Sequence, residues 1–129
     1  MPLRLAAATA LFTLVTACAP MVTSEPAAFT PAAAASARDR QLTAPVPVPL
    51  STGYRRTLPE TTVWRTAGRL AQGEVYRPVD SVLTIEGRQV HEAWLVVDDA
   101  SRLVGFYLPG EARYSPLDAP IRLPLGERR

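Results

Sequence analysis

Residues 82–111 read VLTIEGRQVHEAWLVVDDASRLVGFYLPGE, and the spacing of apolar residues in this stretch sets the expected fold. β-Branched and aromatic residues recur in runs too short for helices, and each run ends at a turn signal. Gly87-Arg88 places glycine first in a two-residue loop, which suits a type II′ hairpin turn, and Asp98-Asp99-Ala100-Ser101 supplies a second turn. If both hairpins close, residues 89–97 form the middle strand. The expected register then sets Ile85 opposite Val90, Ala93 opposite Phe106, Leu95 opposite Val104 and Trp94 opposite Gly105. In that last pair the indole would cover backbone that glycine leaves bare.

Side chains alternate between faces along a strand. One face would carry Val82, Ala93, Leu95, Val97, Val104, Phe106 and Leu108; the other would carry Leu83, Ile85, Val90, Trp94, Val96, Leu103 and Tyr107. Both faces are apolar, so an antiparallel sheet with one side open to water does not fit. Either upstream strands around Trp64, Leu70, Val75 and Tyr76 fold over the second face, or a partner protein covers it. Trp94, Tyr107, Leu83 and Ile85 are the candidate interaction face.

Outward from this core, strands are expected at residues 61–66, 69–77, 81–86 and 103–108, with a weaker one near 121–123. Seven of the nine aromatic residues fall from Ser51 onward. Residues 51–129 are therefore expected to form a small, mainly β module, an antiparallel meander closing as a sandwich or barrel. The prolines at 109, 116 and 124 read as strand punctuation and an irregular closing segment.

Upstream, residues 19–50 hold nine alanines and six prolines in 32 residues. Prolines spaced in this way forbid long helices, and Pro45-Val46-Pro47-Val48-Pro49 favours polyproline II. Residues 18–50 are expected to be a disordered Ala/Pro-rich tether, reaching roughly 30 Å as a coil and about 100 Å if extended.

The chain opens with Arg4, an apolar run over residues 5–15, and the small residues Thr16 and Ala17. That is the layout of a secretory signal peptide over residues 1–17. The run is about half the ~20 residues needed to span a bilayer. Cys18 follows, the single cysteine of the chain.

Val15-Thr16-Ala17-Cys18 resembles the lipobox of bacterial lipoproteins, an aliphatic residue, two small residues and a cysteine at the end of an export signal. The resemblance implies cleavage before Cys18, a diacylglyceryl group on its sulfur and an acylated amino terminus. Two or more acyl chains make such a membrane anchor durable. Ala19 stands where an aspartate retains many such proteins in the inner membrane, so the class rule implies the outer membrane, facing the periplasm. The resemblance covers the first 18 residues and does not extend to the module.

Chemistry is sparse. His91 is the one histidine; it and Glu92 are consecutive strand residues pointing to opposite faces, which suits no acid–base pair. Asp98 and Asp99 lack the spaced acids and glycine of a calcium loop. No GxSxG, phosphate-binding glycine loop or HExxH occurs. No catalytic residue, metal site or cofactor is expected, and the chain does not read as an enzyme.

All 14 basic residues are arginine, scattered singly; beyond the signal, 13 face 12 acidic residues, leaving a net charge near +1. Nucleic acid is not an expected partner. The expected function is a lipid-anchored envelope lipoprotein acting as an accessory or assembly subunit, bound to an envelope protein partner. The second reading is a self-contained binding module for a small ligand, the cell wall or an envelope hydrolase.

Overall fold

The structure, a computed structural model, describes residues 2, 8–11 and 20–128. Cys18 and the other residues that resemble a lipobox, Val15, Thr16 and Ala17, lie outside the described residues. No helix among the described residues is long and apolar enough to cross a membrane.

The strands are β1 (Glu25–Pro26), β2 (Thr30–Pro31), β3 (Asp39–Leu42), β4 (Val46–Pro49), β5 (Arg55–Leu58), β6 (Val63–Leu70), β7 (Gly73–Pro78), β8 (Thr84–Glu86), β9 (Val90–Glu92), β10 (Trp94–Val97), β11 (Arg102–Leu108), β12 (Arg113–Arg122) and β13 (Leu125–Glu127). The fold is mainly β, as expected, and every pairing is antiparallel. One sheet runs β1-β12-β11-β10-β7-β6-β3-β13 with β2 added on β6, and β4–β5 and β8–β9 form two separate hairpins.

The ends of the large sheet are close together in space. β12 lies near one end of the order and β13 at the other, yet only Leu123 and Pro124 separate them in the chain. At about 3.6 Å per residue at most, Arg122 and Leu125 lie within about 11 Å. The sheet therefore curls until its two sides nearly meet.

The hairpins fill the inside of the curl. Trp64, Tyr76, Leu95, Val97, Phe106 and Leu108 of the sheet pack with Val46, Val48 and Leu58 of β4–β5 and with Ile85 of β8 in one core. The outer face carries a second cluster of Leu70, Val75, Val96, Tyr107 and Tyr114, against which Ala27, Phe29 and Trp94 pack. Both faces of the sheet are apolar, and both are covered from within the chain.

Phe29 provides the outer cover. Its ring stacks on Tyr107 with centroids 4.7 Å apart and meets Trp94 edge-on at 6.1 Å. The residues expected to do this, Trp64, Leu70, Val75 and Tyr76, are themselves part of the curled sheet.

The tether expectation is corrected for residues 20–50. Four strands arise there, and Leu42, Val46, Val48 and Leu50 are buried in the core. Alternation explains the second half: along Val46–Pro49 the valines point in and the prolines out. Prolines are tolerated because β4 pairs with β5 alone, so the missing N–H groups leave no ladder broken on a second side.

Three details of the meander also differ. The strand expected over residues 89–97 breaks at Ala93, so β9 pairs with β8 while β10 pairs with β7 and β11. The first loop is three residues long, with Ile85 opposite His91 and Glu86 opposite Val90. Gly87 is not in a left-handed conformation; it serves close approach, since a Cβ there would meet the Pro20 carbonyl oxygen at 2.6 Å.

In the second hairpin Trp94 pairs with Tyr107 and Leu95 with Phe106, two positions from the expected register. The ring over Gly105 belongs to Tyr114, whose hydroxyl donates to the Val104 carbonyl at 3.0 Å. Downstream, the segment expected to be irregular forms β12, with Pro116 opposite Gly105. β1 covers only Arg113 and Tyr114 of its outer edge, so the prolines beyond face an unpaired edge.

Candidate functional site

The register lines up one row of side chains across the outer face. Asp39 of β3 lies opposite Arg65 of β6, and Arg65 opposite Arg77 of β7. The Leu95–Tyr76 pairing, carried one step further, sets Trp94 of β10 beside Arg77. Trp94 is opposite Tyr107, Tyr107 opposite Tyr114, and Tyr114 opposite Glu25. The row is thus charged at one end and aromatic through its middle.

Where the charged and aromatic parts meet, a groove of about 750 Å³ opens, lined by Phe29, Asp39, Arg65, Ala67, Arg77 and Trp94 among others. Its rim on the N-terminal side is the loop around the 3₁₀ turn Ala34–Ser36. Two backbone bonds hold this loop to β6: Ala32 N–H donates to the Ala67 carbonyl at 2.9 Å, and Thr66 N–H to the Arg38 carbonyl at 3.0 Å. A bulge between Thr66 and Gly68 interrupts the β6–β7 register at the floor of the groove.

Arg65 is locked. Its Nε and Nη2 donate to the two carboxylate oxygens of Asp39 at 2.7 and 3.0 Å, and Arg128 adds a longer contact to the same carboxylate at 3.4 Å. The hydrogen bonds from Arg65 hold the Asp39 carboxyl below its ordinary range, and the same pairing raises the Arg65 guanidinium.

Arg77 is different. It faces Arg65 directly across the strand pair, an arrangement of like charges that is unfavourable in itself. Among the described residues it forms no ion pair. The groove therefore presents one unanswered guanidinium beside an indole, with a neutralised Arg65–Asp39 pair behind it.

The four residues expected to share one interaction face are divided. Trp94 and Tyr107 lie together on the outer face, their rings 5.9 Å apart. Ile85 is buried in the inner core and Leu83 packs against it. The separation follows from the break at Ala93, which turns β8–β9 into the curl. Of the outer pair, only Trp94 reaches the groove; Tyr107 lies beneath Phe29, 5% exposed.

His91 lies away from the groove, and its Nδ1 is 2.8 Å from Glu111 Oε1. Asp98 is a turn former, accepting from the Ala100 and Arg102 N–H groups at 3.0 and 2.9 Å. Among the described residues, no three His, Cys, Asp or Glu side chains gather where they could hold a metal ion.

Phe29, Asp39, Arg65 and Arg77 are not on the expected list. Part of the signal was available: Trp64-Arg65 and Tyr76-Arg77 are each an inward aromatic followed by an outward arginine. The chain matches no protein-family model, no curated protein and no solved structure in comparison.

Proposed function

We propose that this protein is a lipid-anchored component of the bacterial envelope, attached through Cys18, whose β module works as a self-contained binding unit with the Trp94–Arg77 groove as its ligand site. The observation carrying this reading is that Phe29 and its neighbours cover the outer apolar face from within the chain. A subunit waiting for an assembly partner would leave that face open. Coverage favours the binding module over the accessory-subunit reading, which relied on an open aromatic surface.

The groove's chemistry suits an anion joined to a ring or other apolar part. An arginine fork recognises a carboxylate with two parallel hydrogen bonds. The flat indole beside it offers apolar contact, the usual combination in a ligand pocket. Cell-wall fragments with peptide carboxylates on sugar rings have both features and share the compartment expected from the signal.

The test is an NMR titration of the mature module with soluble muropeptides. Shifts should concentrate on the Trp94 indole N–H and the amides of residues 65–67 and 77. Arg77→Gln should weaken binding by roughly tenfold or more, the equivalent of one charge-assisted hydrogen bond. Unmoved groove resonances at millimolar ligand would rule out this ligand class.

A further inference from the structure

The folded body begins close to the expected lipid. The Pro20 carbonyl accepts a hydrogen bond from Arg88 N–H at 2.9 Å, at the tip of the β8–β9 hairpin. Val22 packs against the inner core, and Arg113 donates to the Ser24 hydroxyl and carbonyl, both at 2.7 Å. Pro20 is two positions from Cys18. Two residues reach at most about 7 Å, so a lipid on Cys18 is held near the hairpin tip.

The tip has the composition of a surface that meets headgroups. Arg88, Gln89 and Val90 are consecutive exposed residues. Val90 and Met21 are among the few large apolar side chains left open to solvent, at 67% and 65%. Arg88 forms no ion pair among the described residues. An open depression of about 580 Å³ runs between Met21 and His91, with Arg88 on its wall. Apolar side chains next to a cation match a phospholipid surface, where phosphates lie just outside the acyl boundary.

We infer that Met21 and the β8–β9 tip form a membrane-facing surface, with Arg88 on lipid phosphate and Met21 and Val90 at the acyl boundary, so that the module lies on the bilayer in one orientation. This rests on the lipid-anchor reading of Cys18. The module is then not suspended above the membrane, and its groove keeps a fixed position relative to the lipid.

The experiment uses the full-length chain, processed in a bacterial host and reconstituted in phosphatidylethanolamine–phosphatidylglycerol vesicles. With Cys18 acylated, Gln89→Cys provides one free thiol for an environment-sensitive fluorophore. Glu60→Cys serves as control, since Glu60 lies past the opposite end of β5 from Thr52, the residue whose hydroxyl donates to the Glu86 carbonyl. The probe at position 89 should shift to the blue and be quenched roughly fivefold more slowly by an aqueous quencher than at position 60, as for groups at the headgroup–acyl boundary.

Equal quenching at the two positions in a chain with the acyl mass on Cys18 would overturn the membrane-facing surface alone. Protection that follows protein concentration instead of lipid would assign the tip to a second copy and also overturn it. Absence of the acyl mass would overturn the anchor reading and this inference together.

Discussion

Gly68 has no side chain, and the outer face depends on that. A Cβ built there would lie 2.3 Å from the Thr30 carbonyl oxygen and 2.5 Å from the Phe29 ring. The backbone of β2 pairs with β6 at this point, with Pro31 opposite Gly68. Gly68→Ala must therefore push the residue 29–31 segment away, at about 1–3 kcal/mol, the usual scale for overpacking. Lifting Phe29 also uncovers Trp94, whereas Trp64 stays sealed at 1% exposure. Urea unfolding should show the loss, and acrylamide quenching of native tryptophan emission should rise. Wild-type stability and quenching in this variant would mean that Phe29 does not cover the face.

Elements show why parts of the structure were legible and others were not. The hairpin turn at Asp98–Ser101 is a local property and appears where the residues indicate, and both faces around it are apolar. The faces expected for Leu103 and Val104 are exchanged, and Val82 and Val90 are exposed instead of packed. Register is not local. A bulge between Val96 and Val97 adjusts this hairpin and one between Leu103 and Gly105 adjusts the β11–β12 pairing, and no residue type announces them. Gly68 read as a break between strands but is an interior position of β6, while the true turn falls at Ala71-Gln72. The bulge between Thr66 and Gly68 also changes face parity: Trp64 points into the curl, and Leu70, six positions on, points out.

β4 was open to a better reading. Val46, Val48 and Leu50 alternate with prolines at the period of a strand, and that spacing outweighs the polyproline preference once β5 is present to pair with it. The groove was less accessible, because its residues come from Phe29 just before β2, from the loop after β2 and from four strands whose order no single segment encodes. A direct check on β4 is Val48→Ala, since Val48 is fully buried. The change should cost about 1.5–3 kcal/mol through lost burial and the cavity left behind. A residue in a free tether would give no change in the urea midpoint.

At the scale of the whole molecule, the N-terminal third completes the fold. β3 joins β6 to β13, so residues 39–42 close the curled sheet between its first and last parts. β1 and β2 hold the segment carrying Phe29 at its two ends, on β12 and β6. The module has no cysteine with which to make a disulfide once Cys18 is set aside, so this closure rests on packing and backbone pairing. Losing residues 20–50 would open both the inner core and the outer face, and with them the groove.

Backbone hydrogen exchange on residues 19–129 addresses this closure directly. Ala27 N–H donates to the Ala112 carbonyl at 3.1 Å, Ala32 N–H to Ala67 at 2.9 Å and Thr43 N–H to Pro124 at 2.9 Å. All three lie in the Ala/Pro-rich stretch and bond to distant parts of the module. If the stretch is part of the folded body, their exchange should be slowed by at least about 100-fold relative to an unstructured chain. Exchange at unstructured-chain rates at all three, with β10 and β11 protected, would show that residues 20–50 are a tether and that the groove does not exist in solution.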